Sequence, residues 1–247
     1  MWSRELLKTN AKQRLARYHW YGVLVCLLAA LLGASSMPSL NFEFSDETST
    51  NLENYLTQLS EESLLIAVII LVVSVVVLLV ALAFQLLVSN PVKVGFARYF
   101  ITAREVNTPV SELFSAFRTN YTNAATVMFM HDLYVFLWSL LFIIPGIIKS
   151  FSYFMVPYLL AENPDMDGDR ALQLSSDMMV GHKMELFVLE LSFIGWQILS
   201  MITFNIVGIL YVAPYYTATM AEFYVAVRSE AFARGLTSQS ELPFMFT

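Results

Sequence analysis

The run from Leu64 to Val88, LLIAVIILVVSVVVLLVALAFQLLV, carries no charge, and only Ser74 and Gln85 interrupt its apolar character. A helix needs ~20 apolar residues to cross ~30 Å of hydrocarbon. This run is long enough, and too uniformly apolar for a helix that keeps one face in water. The chain therefore reads as an integral membrane protein.

Composition agrees. Of 247 residues, 57% are hydrophobic and 14% charged, whereas soluble domains carry roughly a quarter charged residues. The pattern fits one compact membrane domain over residues 1–247. Cys26 is the only cysteine, so an intramolecular disulfide and a cysteine metal site are both excluded. It sits in an apolar run and reads as a small buried hydrophobe. Gly33-Ala34-Ser35 resembles a signal-peptide cleavage site. The long, helical basic region before it argues against cleavage.

Six spans are expected, at about Tyr18–Ser36, Leu64–Val88, Ala124–Ile144, Ile147–Ala161, Glu185–Phe204 and Val207–Val227. Pro145-Gly146 separates the third and fourth. Asn205 and Gly208 mark the turn between the fifth and sixth. Gly permits positive φ and Pro ends a helix. Lys and Arg are strongly one-sided. The first segment holds Arg4, Lys8, Lys12, Arg14 and Arg17, and segment 89–123 holds Lys93, Arg98, Arg104 and Arg118. Segment 162–184 holds Arg170 and Lys183, and the last holds Arg228 and Arg234. Segment 37–63 has none and carries Glu43, Asp46, Glu47, Glu53, Glu61 and Glu62. Only Lys149 falls on that side, where it can snorkel to the interface. Both termini are therefore expected in the cytoplasm, and 37–63 forms an external acidic loop.

Short amphipathic helices are expected on the cytoplasmic side. Residues 1–17 place Leu7, Ala11, Leu15 and Tyr18 on one face. Residues 109–121 open with Thr108 as N-cap and Pro109 at the first helical position. Val110, Leu113, Phe114, Phe117 and Tyr121 line its apolar face, either on the membrane surface or packed under the bundle. Residues 168–180 carry Ala171, Leu174 and Met178, with Gly181 after the end. Each helix precedes a span, which suggests three repeated hairpins. Trp138 precedes Gly146 and Val156-Pro157-Tyr158, and Trp196 precedes Gly208 and Ala213-Pro214-Tyr215. Internal repeats are common in transporters, and structural membrane proteins have them as well.

The stretch LWSLLFIIPGIIKSFSYFMVPYLLAENPD, then ALQLSSDMMVGHKMELFVLELSFIGWQIL, then YVAPYYTATMAEFY, spans Leu137 to Tyr224. It resembles a bacterial integral-membrane family catalogued as domain of unknown function 975. The basic, helical N-terminal tail is also similar, whereas the acidic segment 37–63 has no counterpart. The resemblance implies a multi-pass, all-α membrane bundle, mostly of Gram-positive bacteria, without an established activity. It carries over no functional residues.

His131, Asp132, Glu190 and Glu222 lie inside expected spans. Ionisable groups at membrane depth are costly and mark candidate functional sites. At ~1.5 Å per residue the three carboxylates lie roughly 8–12 Å inside the cytoplasmic boundary. Glu190 and Glu222 flank the turn between spans five and six at matched distances, so one expectation is a shared proton or cation site facing the bundle interior near His131 or Asp132. A second is a structural hydrogen-bond network, and a third places the groups at the interface.

Asp165 to Asp169 lacks the Gly and Glu of a calcium loop, having Arg170 and Ser176 there. Those acids read as helix starters. Lys183 reads as a helix-end or interfacial residue, with contact to a lipid phosphate the rarer role. His19 and His182 have no paired ligand motif, and no nucleotide loop, zinc-protease helix or nucleophile elbow is present. Neither a cofactor nor enzymatic activity is expected. The lipid bilayer and a membrane-protein complex are the expected partners, and nucleic acid is not. The expected role is a structural or accessory component of the cell envelope; the alternative is a small-molecule or ion carrier using the carboxylate cluster.

Overall fold

A computed structural model describes residues 4–31 and 61–243, and nearly all of the acidic segment 37–63 lies outside them. Every regular element among the described residues is helical. The chain divides into two compact units, residues 37–85 on one side and residues 1–36 with 86–247 on the other. Among the described residues, four helical stretches are long and apolar enough to cross a membrane: Leu65–Thr102, Tyr121–Leu141, Ile143–Glu162 and Lys183–Ile202.

In the smaller unit, α2 (Glu61–Phe84) is the described part. All its side chains from Leu65 to Phe84 are exposed. Valine, leucine and isoleucine on every face suit lipid contact rather than a water-facing surface. Ser74 is satisfied within the helix, donating to the Ile70 carbonyl at 2.7 Å.

The larger unit is built around a helix of modest hydropathy. α1 is Arg4–Leu31, and α11 is Ala213–Ala233, preceded by a π-helical turn at Gly208–Val212. α11 is buried along most of its length and packs on α1 and on α3 (Asn90–Thr102). Its composition, with Glu222, Arg228 and Glu230 among many Thr and Tyr, is too polar for it to count among the four stretches above, and because neighbours cover it its surface need not match lipid. α1 is continuous. The separate amphipathic helix expected at 1–17 is its first half, with Leu7 and Ala11 buried.

The other elements are helices interrupted by short turns. α5 (Tyr121–Leu141) is followed by α6 (Ile143–Ser152) and α7 (Val156–Glu162). α8 (Gly168–Met178) leads to α9 (Lys183–Leu191) and α10 (Ile194–Ile202). The turn expected at Pro145-Gly146 lies instead at Phe142, which is extended at φ −157° and ψ 145°. Pro145 sits in the first turn of α6, where a missing N–H costs nothing. The α10–α11 turn is as expected near Asn205, with Phe204 and Asn205 at φ 48° and 65°. Both turns use a small residue for close approach. A Cβ on Gly146 would overlap Ser139, and one on Gly208 would overlap Ser200 and Asn205.

Spans expected to be unbroken are interrupted. Tyr153–Met155 divides α6 from α7, and Ser192-Phe193 divides α9 from α10. Pro91, Pro157 and Pro214 each stand in the first turn of a helix that follows a non-α stretch: the π-helical turn Gln85–Ser89, Tyr153–Met155, and Gly208–Val212. Proline cannot bond the carbonyl four residues back, and that group needs another donor at membrane depth. For Pro91 the freed carbonyl is Leu87, which accepts from the Tyr121 hydroxyl at 2.9 Å. For Pro157 it is Tyr153, which accepts from the Val156 N–H at 3.1 Å.

The segment expected to be a helix over 109–121 is a 3-10 turn, Val110–Phe114, then a single α turn, α4 (Ser115–Arg118). Pro109 caps the turn, and the Thr108 hydroxyl donates to the Val106 carbonyl instead of capping. Leu113 and Ala116 are buried, while Phe114 and Phe117 are 39% and 38% exposed. The cause is α3, whose Gly95 lets the Leu113 carbonyl pack directly on its backbone. α8 is the expected helix, started by Asp167, which accepts from the Arg170 N–H at 3.3 Å. Ala171, Leu174 and Met178 are buried, and Gly181 follows at φ 92°.

Residues 236–242 fold back onto this unit. Arg170 donates to Glu241 at 2.6 and 2.9 Å and to the Leu236 carbonyl at 2.9 Å. Asn163 donates to the Glu241 carbonyl at 3.0 Å, and Leu242 is fully buried. Donation by Arg170 holds the Glu241 carboxyl below its ordinary range. Its stabilisation is therefore present above the usual carboxylate pKa of ~4.3 and is lost as pH falls through the lower folded value. A nitroxide on Ser240→Cys, in a Cys26→Ala background, should gain mobility only below that range. With Arg170→Gln it should already be mobile at neutral pH. Gly95→Ala should push the 110–114 turn off α3 and cost roughly 1–3 kcal/mol, read as a lower Tm; an unchanged Tm would show that the contact yields freely.

Candidate functional site

The four residues expected to cluster fall into three partnerships. Glu222, near the middle of α11 and 5% exposed, is held by two arginines. Arg104, just past α3, donates through Nε at 2.8 Å and Nη2 at 3.1 Å. Arg14 of α1 pairs with the same carboxylate at 3.1 Å and donates to the Arg104 carbonyl at 3.0 Å. Two-pronged guanidinium contact is the strongest form of such a pair. Glu222 thus ties three elements together, and the expected proton or cation shared with Glu190 is replaced by this double arginine contact.

Asp132 on α5 forms the second set. It pairs with Lys93 of α3 at 3.3 Å and with His131 Nδ1 at 2.9 Å. Lys93 also donates to Asn90 Oδ1 at 3.1 Å. The Asp132 side chain remains 33% exposed. Glu190 on α9 stands apart: the Tyr216 hydroxyl of α11 donates to it at 3.4 Å. Tyr216 packs edge-on against Phe193, over whose ring Lys8 lies at 4.7 Å. His131 and Asp132 are therefore brought together, whereas Glu190 and Glu222 each join a different neighbour.

The most buried pair is one the sequence reading does not single out. Glu162 closes α7 and Arg228 lies in α11, with side chains 3% and 7% exposed and an N–O distance of 2.8 Å. Tyr224 donates to Glu162 at 3.0 Å, and Arg228 to the Leu242 carbonyl at 3.2 Å. Tyr224 also stacks on Tyr158 with centroids 4.9 Å apart. The Pro-Tyr echo does not reach it: Glu162 lies five residues after Pro157 and Glu222 eight after Pro214, so the two buried carboxylates are not equivalent positions, although each meets an arginine.

His182 lies between two acids, with Nδ1 2.7 Å from Glu185 and Nε2 3.2 Å from Glu230. Among the described residues no three His, Cys, Asp or Glu side chains converge to hold a metal ion. A cleft of about 310 Å³ opens beside α3, lined by Arg98, Thr102, Thr108, Pro109 and Glu112. Arg98 and Glu112 pair across it at 3.2 Å. None of Asp132, Glu190 or Glu222 lines this cleft.

Residues 20–231 match the family described as protein of unknown function (DUF975). The chain belongs to that family. No curated protein and no solved structure matches the chain. The matched segment contains Glu222, Arg104, Glu162, Arg228, Asp132 and Glu190, while Arg14 and Glu241 lie outside it.

Removing one partner of a buried pair leaves a bare charge, at a cost of about 3–5 kcal/mol. Arg228→Met should therefore lower thermal stability in detergent sharply. The double variant Glu162→Gln with Arg228→Met should recover most of that loss. A single variant no worse than the double would show that Glu162 is solvated once Arg228 is gone.

Proposed function

We propose that this protein is a multi-pass component of a bacterial cell envelope, structural or accessory in role. In this reading six crossings form three hairpins, and both termini are cytoplasmic. Four apolar stretches of sufficient length support the membrane part. The one-sided Lys and Arg distribution supports the orientation. The three Pro-led helices after non-α stretches support a repeated hairpin.

One observation carries the structural role. The carboxylates in the helices are closed individually by groups from neighbouring elements, as Arg104 and Arg14 close Glu222 and Arg228 closes Glu162. A carrier site keeps its ligands available to the cargo. Ion pairs spent between helices fix their positions instead.

Lys93–Asp132–His131 supports the rival reading, a carrier, because Asp132 stays one-third exposed. Asp132→Asn separates the two. In a host lacking this protein, a structural component leaves an envelope-stress sensitivity that folded Asp132→Asn still corrects. A carrier predicts that the same folded variant fails to correct it. The topology is checked independently: with Cys26 replaced by Ala, a membrane-impermeant maleimide should label Ser49→Cys on intact cells and leave Ser240→Cys unlabelled. The reverse pattern would invert the orientation.

A further inference from the structure

We infer that the hairpin of α5 and α6 is re-entrant: it enters the hydrocarbon from one face of the membrane, turns at Phe142 near the midplane and returns to the same face, so its partner is the lipid of a single leaflet. This rests on the membrane reading proposed above and refines it at one hairpin. Both ends of the hairpin stay on the same side as in a crossing pair, and only the depth differs.

Helix length sets the problem. α5 has 21 residues, about 31 Å at ~1.5 Å per residue, which matches ~30 Å of hydrocarbon. A full crossing from Tyr121 to Leu141 would put Asp132 near the midplane. The Asp132 side chain is 33% exposed, and that of its partner Lys93 23%. An ion pair open to lipid at the midplane costs far more than one at the headgroups. Lys93 gives the level independently. The uncharged run Leu64–Val88 is long enough to cross by itself, and Lys93 is the first charge after it. The Lys93–Asp132 pair therefore marks the membrane edge. From there to Phe142 is about ten residues, ~15 Å of helix, or half of the hydrocarbon.

The exposed surface changes character at the same level. Before Asp132, the exposed residues of α5 are Thr122, Thr126 and Phe129, while Ala124, Val127 and Met128 are buried. From Leu133 to Ile148 every exposed side chain is apolar or aromatic except Ser139, whose hydroxyl donates to the Val135 carbonyl at 2.8 Å. Leu140, Leu141, Phe142, Ile143 and Ile144 are 62–76% exposed in unbroken succession. A crossing hairpin would hold all of them in water on the far side, whereas hydrocarbon accepts them. The turn itself suits that depth, where backbone groups need partners. Phe142 is its one non-helical residue. The Phe142 N–H donates to the Trp138 carbonyl, and its carbonyl accepts from the Gly146 N–H, both at 3.2 Å.

Lys149 agrees from the returning limb. Its ammonium lies 5.3 Å from the ring centres of both Trp138 and Tyr153, and Tyr153 meets His131 edge-on at 6.2 Å. The cation is thus carried toward the level of His131 and Asp132, as a snorkelling lysine would be. In a re-entrant hairpin Lys149 belongs to the same side as the other Lys and Arg, and the one exception to their asymmetry disappears.

The test uses the full chain with Cys26→Ala in phosphatidylcholine–phosphatidylglycerol vesicles. Nitroxides are placed at Leu133→Cys, Leu137→Cys, Phe142→Cys and Ile148→Cys, with Ser240→Cys as the aqueous reference. Power saturation with oxygen and a water-soluble nickel chelate gives an oxygen-to-nickel ratio that rises with depth. The re-entrant hairpin predicts a ratio that climbs from 133 through 137 to a maximum at 142, several-fold above that at 133, and falls again at 148. A crossing hairpin predicts the opposite gradient, highest at 133 and down to the value at 240 by 142. That result overturns the inference and leaves the membrane reading standing. Ratios at 133, 137 and 142 all equal to that at 240 overturn both. Protection of 142 from both reagents would mean that protein covers the turn, and also overturns the inference. Should Phe142→Cys fail to fold, Ile144→Cys reads nearly the same depth.

Discussion

Burying charge inside an apolar bundle is the constraint on which the rest of this structure depends. α11 carries Glu222 and Arg228 where its neighbours exclude water. An isolated ion there would cost several kcal/mol, so each needs a partner of opposite charge with good geometry. The partners come from different elements: Arg104 after α3, Arg14 from α1, and Glu162 from the end of α7. Each pair therefore fixes where two elements meet. Apolar side chains alone would set such contacts loosely, because lipid tails are as apolar as leucine. A polar pair in the wrong register leaves a bare charge, which penalises misassembly far more steeply than a displaced methyl group does.

The prolines act on the same problem through the backbone. Pro91, Pro157 and Pro214 each lack the N–H that would reach the carbonyl four residues back, and each begins a new helix after a non-α stretch. The freed carbonyl must find a donor, and for Leu87 the donor is the Tyr121 hydroxyl of α5. A local break thus becomes a contact between elements. The interruptions also allow a helix to change direction between its outer, lipid-suited part and its inner, protein-covered part. α6 shows the outer character, with Ile143 and Ile144 over 70% exposed, whereas in α7 Leu159 and Leu160 are fully buried.

Much of this was legible in the sequence, for identifiable reasons. The uncharged run at Leu64–Val88 dictates an all-round apolar helix, and α2 is one. Ala171, Leu174 and Met178 recur at helical spacing, and α8 buries all three. Periodicity reported less faithfully on 109–121. The apolar positions there satisfy a helical face, but the Leu113 backbone packs against Gly95, and that long-range contact selects a 3-10 turn. The turn at Phe142 was hidden because Pro145 fits the first turn of a helix as well as it fits a break. Depth counting placed Glu190 and Glu222 together, since it yields height along the bundle and says nothing of rotation about each helix axis. It also treated Arg14 and Arg104 only as orientation signals, although they are the groups that meet Glu222.

The distribution of these pairs along the chain separates two kinds of work. Glu222–Arg104 and Glu162–Arg228 join α11 to α3 and α7, and every one of these residues lies in the segment shared with the family. Arg14 adds a second cation to Glu222 from before that segment, and Glu241 takes up Arg170 from beyond it. The inner pairs are nearly dry, so their geometry is enforced by the full desolvation penalty. The outer contacts are more open, with Arg14 and Arg170 about one-third exposed, so water can replace them at small cost. The position of α11 therefore rests on the dry pairs, and the more open contacts of Arg14 and Arg170 add to it without deciding it.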